Sequence, residues 1–159
     1  MKYDARRSLA RPLGALMRVR GAEVLHGASC VVPVPLHPSR RRERGFNQAR
    51  DLARHLQMPV VEALARIRAT SPQAQLPAAE RRQNLHGAFA ATRHARMLVG
   101  ATVVLVDDVS TTGTTLEGCA QALIHSGVAE VRALTVARVV SPGKDVQDVE
   151  DELKRSARR

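Results

Sequence analysis

Residues 103–115 read V-V-L-V-D-D-V-S-T-T-G-T-T, and this stretch decides the fold class. Four apolar, mostly β-branched residues (Val103, Val104, Leu105, Val106) predict a buried strand. Two adjacent carboxylates, Asp107 and Asp108, follow at its end. Next comes a loop of five hydroxyls and one glycine (Ser110, Thr111, Thr112, Gly113, Thr114, Thr115), and then an apolar-periodic helix over residues 114–126. Strand, acid pair, hydroxyl loop and helix is the layout of a phosphate site at the carboxyl edge of a parallel sheet. The helix N-terminus offers unpaired N–H groups and a positive dipole end. Gly113 lets the backbone adopt positive φ or approach an anion closely. The two Asp residues can accept hydrogen bonds from sugar hydroxyls or hold Mg²⁺ directly or through water. A blander reading has the acids ending a buried strand and Thr-Thr-Gly capping a helix. A plain strand-to-helix turn needs one cap residue, however, not five hydroxyls and two acids in a row.

Working outward, strands alternate with helices. Leu9, Leu13, Leu16 and Met17 recur at helical spacing and predict a first helix over residues 4–20. Residues 29–34 (S-C-V-V-P-V) read as a buried strand that ends in Pro33 and Pro35. Ala49, Leu52, Ala53 and Leu56 mark one face of a second helix. Residues 60–67 read as a strand continuing into a helical turn, Phe89 as part of a short strand, and residues 131–137 as the last strand. This alternation predicts an α/β fold: a parallel sheet in three layers, with helices on both faces. Ligands then bind outside the carboxyl ends of the strands. Three loops fall on that edge: residues 34–45, 69–86 and 107–115.

Composition agrees with one domain. The chain has 159 residues, 44% hydrophobic, with no Trp, one Tyr and two Phe, so the core must be mostly Val, Leu and Ala. Formal net charge is +10, which suits anionic ligands or an Arg-rich solvated surface. The excess sits upstream of the motif, because residues 1–100 carry 18 basic against 6 acidic side chains. Scarce aromatics argue against a stacking platform for single-stranded nucleic acid, though not against backbone binding. Two cysteines, Cys30 and Cys119, make neither a disulfide framework nor a zinc site. No signal peptide and no apolar run approaching ~20 residues is visible, so a cytoplasmic protein that does not span a membrane is expected.

The 103–115 run resembles the 5-phosphoribosyl-1-pyrophosphate (PRPP) motif of type I phosphoribosyltransferases. The resemblance implies a type I phosphoribosyltransferase-like fold with PRPP as ligand and Mg²⁺ as cofactor. Asp107 and Asp108 would bind the ribose hydroxyls and Mg²⁺, while Ser110, Thr111, Thr112, Gly113, Thr114 and Thr115 would cradle the 5-phosphate. It also implies that pyrophosphate lies at the loop after the first strand, at Val34, Pro35, Leu36 and His37. Arg40 and Arg44 are further candidates there, with Arg41 and Arg42 beside them, since guanidinium forks bind phosphate oxygens bidentately. Asn47 and Gln48 read either as ordered site groups or as a helix cap and loop latch. The 69–86 loop matches the type I flexible lid, with Gln73, Arg81, Arg82 and Asn84 as its polar candidates; a plain surface loop is the alternative. No catalytic residue is assigned. Purine-salvage enzymes have an acid where Thr111 stands, so that acceptor class is disfavoured.

Four further blocks carry a narrower resemblance. They are K-Y-D-A-R-R (residues 2–7), P-V-P-L-H-P-S-R-R-R-E-R-G-F-N-Q-A (33–49), R-x-R-x-T-x-x-Q-x-x-L (66–76) and R-R-Q-N-L-H-G-A-F (81–89). Together they are similar to the ComF family, phosphoribosyltransferase-like proteins of natural competence and DNA uptake. That family implies work beside DNA-translocation proteins, with single-stranded DNA as a possible partner and enzymatic turnover open. A non-catalytic nucleotide- or DNA-binding accessory role is the alternative. Many ComF proteins carry an N-terminal zinc ribbon ahead of the first block. Here Met1 immediately precedes it, which reads as a shortened chain or a ribbon-less member. Residues 1–140 are expected to form the domain and 141–159 a charged tail, helical or disordered.

Overall fold

Val103, Val104, Leu105 and Val106 are 0–1% exposed, and the rest of the molecule is layered around them. They lie in the central strand of a computed structural model that describes residues 9–37, 42, 45–68 and 87–139. In chain order the elements are α1 (Ala10–Arg20), α2 (Ala22–Leu25), β1 (Cys30–Pro33), α3 (Gln48–Ala53), β2 (Leu64–Arg66) and β3 (Phe89–Ala91). A 3₁₀ helix (Arg93–Leu98), β4 (Thr102–Ser110), α4 (Thr114–His125) and β5 (Glu130–Arg138) follow.

The main sheet has the order β1-β4-β5, and both pairings are parallel. Side-chain alternation along β4 divides the core in two. Val103 and Leu105 join Cys30, Val32, Cys119 and Leu123 on the face covered by α4, the 3₁₀ helix and the β2–β3 pair. Val104 and Val106 join Val31, Met17, Leu52 and Leu56 on the face covered by α1, α2 and α3. The expected three-layer α/β architecture is therefore present. Each fully buried Val or Leu contributes roughly 1.5–3 kcal/mol, which explains why this stretch anchors the sheet.

Several local expectations needed correction. β4 does not stop at Val106 but runs to Ser110, so both acids belong to the strand. Its ladder with β1 ends at Pro33–Val106, whereas the ladder with β5 continues through Asp107–Thr135 to Ser110–Arg138. A polar side chain at the edge of a sheet does not end a strand while the backbone still has a partner. Residues 60–67 contain no helical turn. Val60 bridges Val31, and β2 pairs antiparallel with β3 in a separate two-stranded sheet. Phe89 opens β3, as its expected short strand requires, whereas the antiparallel pairing of β2 with β3, α2 and the 3₁₀ helix had no distinct sequence signal.

α1 also sits differently on the core. Ala10, Gly14 and Met17 are its buried residues, while Leu9 and Leu16 are exposed. Gly14 explains the rotation. A Cβ there would lie 2.4 Å from the Cβ of His55, so the absence of a side chain lets α1 meet the end of α3 closely. The start of the helix expected over residues 4–20 lies outside the described residues, as do the tail at 141–159 and the loop at 69–86. The second helical face is as expected: Ala49, Leu52, Ala53 and Leu56 are all buried.

Candidate functional site

Because β1 and β4 are parallel and in register at Pro33–Val106, their carboxyl ends open onto the same edge. On β4 this edge carries the acid pair. Asp107 Oδ1 accepts from Asp108 N at 2.9 Å, and Asp108 Oδ1 accepts from Val109 N at 2.9 Å. Burial pushes the Asp107 carboxyl up to about 7, and the neighbouring Asp108 charge and carboxyl add to the rise. The Asp108 N–H and the positive charge of Arg66 act against it. A half-buried acid crowded by a like charge favours a proton or a cation. Mg²⁺ characteristically binds through one or two carboxylates together with substrate phosphates, so the pair fits such an ion.

Gly113 begins α4 with φ of 78° and has no side chain to cap the helix. Its carbonyl accepts from Glu117 N at 2.9 Å, which closes the first turn. The N–H groups of that turn are left to an incoming acceptor. A Cβ on Gly113 would meet nothing closer than Glu117 Oε1 at 3.9 Å, so glycine serves the backbone angle and not a crowded contact. The hydroxyls divide by position. Thr111 and Thr112 are exposed at the loop tip, Ser110 ends the strand, Thr115 is half-buried and Thr114 is buried. Thr114 Oγ1 lies 2.7 Å from Thr112 Oγ1, so one of this pair already serves the other.

On β1 the chain turns after Val34, whose N–H donates to Val106 O at 2.9 Å. Asn47 Nδ2 donates to Val34 O at 3.0 Å, and Asn47 Oδ1 accepts from Ala49 N at 3.1 Å. Asn47 is thus the N-cap of α3 and the latch of the loop, the second of the two readings open for it. Val34 is buried, whereas Pro35, Leu36 and His37 are half-buried. Arg42 is exposed, and Arg40, Arg41 and Arg44 lie outside the described residues. The lid candidates Gln73, Arg81, Arg82 and Asn84 lie outside them as well.

A cleft of about 850 Å³ opens beside this turn, between the β1 exit, α3, β2 and the 3₁₀ helix. Among the described residues, Arg42, Arg50, Arg54, Arg66 and Arg93 line it against two acids, Asp51 and Glu62. Arg50 pairs with Glu62 and Arg54 with Asp51. Neither the acid pair nor the hydroxyl loop lines the cleft. The two regions meet electrostatically at Arg66, which sits 5.4 Å from the Phe89 ring centroid and acts on Asp107. Sequence reasoning missed Arg50, Arg54, Arg66 and Arg93. Arg66 alone left a signal, as an arginine opening one of the quoted blocks in a short strand. Both cysteines are buried and their thiols are pushed up by burial, so neither is a poised nucleophile.

Comparison with known proteins agrees with this fold. Residues 42–156 match the family described as the phosphoribosyl transferase domain. The chain is 37% identical over 140 residues to Competence protein F of Haemophilus influenzae, covering 83% of this chain and 60% of that protein. It is 35% identical over 153 residues to DNA utilization protein YhgH of Escherichia coli, covering 88% of this chain and 65% of the relative. The chain therefore spans less than two thirds of these relatives. Among solved structures, the allosteric regulatory enzyme of purine biosynthesis superposes with a TM-score of 0.50 at 23% identity. That match covers 82% of this chain and 26% of the enzyme, and it speaks to the fold alone. The chain belongs to the phosphoribosyl transferase domain family, and its kinship with the ComF proteins holds.

Proposed function

We propose, from this membership and the geometry at the end of β4, that the chain binds PRPP with Mg²⁺ in the cytoplasm and serves competence-linked DNA uptake. The observation that carries the reading is the junction itself. A half-buried acid pair on the strand leads into a left-handed glycine and an uncapped helix start. In this reading Asp107 and Asp108 accept from the ribose hydroxyls. The first-turn N–H groups of α4, with Thr111 and Thr112, take the 5-phosphate. The turn after β1 faces the pyrophosphate, with Arg42 as the described cation nearest in sequence. Mg²⁺, when bound, neutralises the leaving pyrophosphate. Anchoring the 5-phosphate positions the anomeric carbon, so binding energy away from the reacting bond serves the displacement. Turnover would transfer the phosphoribosyl group to an acceptor and release pyrophosphate.

A second reading draws on the arginine cleft: a nucleic-acid backbone, single-stranded DNA above all, held by Arg42, Arg54, Arg66 and Arg93. The names of the relatives, which refer to competence and DNA utilization, point the same way. Calorimetric titration of PRPP with Mg²⁺ separates the two readings. Wild type is expected to bind, and Asp107→Ala/Asp108→Ala to lose at least about 100-fold in affinity (~2.7 kcal/mol). No binding by folded wild type sinks the PRPP reading. DNA binding that survives the double substitution assigns nucleic acid to the cleft.

A further inference from the structure

The two acids at the end of β4 serve opposite faces of the sheet. Val104 and Val106 belong to the core under α1 and α3, and Val103 and Leu105 to the core under α4. Alternation therefore sends Asp107 toward α4 and Asp108 toward α1 and α3. The surroundings agree: Asp107 acts electrostatically on Cys119 of α4, whereas Asp108 lines a cavity together with residues of α1 and α3.

That cavity holds about 250 Å³. Pockets for drug-sized ligands run to roughly 300–1,000 Å³, so this one suits a single small ring system. Leu13, Phe46, Leu52 and Val136 give it apolar walls. Among the described residues its polar groups are Gln48, Asp51 and Asp108, and none of its lining residues is basic. Asp51 also lines the arginine cleft, but none of that cleft's arginines lines this cavity. Neither carboxylate is fully engaged. Asp51 Oδ1 accepts a long 3.4 Å hydrogen bond from Arg54 Nη1, and its buried Oδ2 has no hydrogen-bond partner. Asp108 Oδ1 accepts from Val109 N, its carboxyl also meets that of Asp107, and no described cation pairs with it. Carboxylate oxygens held among apolar walls favour a ligand that brings N–H donors and no negative charge.

We propose that this cavity receives the phosphoribosyl acceptor, a small flat ring that carries N–H donors and no negative charge, recognised by Asp51 and Asp108 between α1 and α3. The inference rests on the PRPP reading, which sets the ribose at the same Asp108. A ring seated against Asp108 adjoins the ribose, as transfer requires. In that transfer a ring nitrogen's lone pair bonds the anomeric carbon. The C–O bond to pyrophosphate breaks with its electron pair, and the proton that the nitrogen carried leaves to water. Rings bearing a carboxylate are disfavoured, because Asp51 and Asp108 repel them and no described cation in the cavity offsets the repulsion.

The test uses three flat probes of one shape and different charge: benzamide, benzamidinium and benzoate. Each is titrated at millimolar concentrations into the full chain by ligand-observed NMR, first alone and then with PRPP and Mg²⁺. Benzamide and benzamidinium are expected to bind, and benzoate to bind at least about tenfold more weakly. Asp51→Asn is expected to narrow that discrimination at least about threefold. Leu13→Trp, which fills the cavity, is expected to weaken benzamide at least about fivefold. Thermal melts confirm that each variant is folded, and Asp51→Asn carries the test if Leu13→Trp is not. Benzoate binding as tightly as benzamide overturns the proposal. So does the absence of any probe binding, or benzamide binding indifferent to both variants. Benzamide displaced by PRPP removes the acceptor role, since the two must be bound together. The probes read the cavity without PRPP, so the failures separate. Probes in the expected order with no PRPP binding sink the PRPP reading and the acceptor role with it, whereas PRPP binding without the probes sinks the cavity alone.

Discussion

The β4–α4 junction and the arginine cleft both suit anions, yet they are built in opposite ways. The junction is contiguous: from Asp107 to Thr114 the chain supplies two carboxylates, a left-handed glycine and a helix start. Much of its donor capacity is backbone. The cleft is assembled from side chains on α3, β2, the 3₁₀ helix and the β1 exit, and two of its arginines are already paired to acids. A backbone-built site is rigid and suits one small phosphate in one orientation. A cleft of long, partly exposed guanidinium groups suits an extended polyanion and a salt-dependent affinity.

The largest expected effect tests whether the junction holds a strained acid. Asp107 is raised from 3.8 to about 7 in the folded protein. The folded state therefore binds this proton more tightly than the unfolded chain, and stability falls as pH rises from about 4 to about 7. The upper bound on that loss is about 4 kcal/mol. Asp107→Asn is expected to flatten the dependence and to be more stable than wild type at pH 8, measured by denaturant unfolding across pH. A wild type whose stability does not fall in this window would remove Asp107 as the strained group.

Next in size is the glycine. Gly113→Ala places an L-residue at φ of 78° in open space, so strain and not collision sets the cost. About 1–2 kcal/mol of stability should be lost, with a parallel fall in PRPP affinity. Thermal melts and titration read both.

The cleft should respond more weakly and to different ligands. Arg54→Ala/Arg93→Ala removes two exposed cations and is expected to reduce the log–log salt slope of DNA binding by about 1.4–1.8, with PRPP affinity unchanged. Equal damage to both ligands would merge the two regions into one site. The smallest effect belongs to the Arg50–Glu62 pair, both partners about 40% exposed. A double-mutant cycle by denaturant unfolding should give a coupling below about 1 kcal/mol.

How much was legible beforehand follows the same division. The parallel α/β layering could be read from the strand-acid-glycine-helix run, because apolar periodicity and turn chemistry act over a few neighbouring residues. The burial of Ala49, Leu52, Ala53 and Leu56 was legible for the same reason. The face of α1 was not, since Leu9 and Leu16 obey helical spacing but lose the core to Gly14, whose value appears only when α3 lies against it. The length of β4 was also hidden, because the partner that carries Asp107 and Asp108 into the strand is β5, more than 20 residues downstream.

By itself, then, the amino-acid sequence determined the local grammar of the molecule: a buried strand, two carboxylates, a glycine able to turn left-handed, and a helix ready to meet an anion. Tertiary structure alone decided which groups share a space. It brought Arg66 within electrostatic reach of Asp107, gathered arginines from separate elements around one cleft, and turned Leu9 and Leu16 of α1 away from the core. The physical reason is range. Propensity and alternation act along a few residues of chain, whereas burial, charge coupling and strand pairing depend on distances that exist only after the chain has folded.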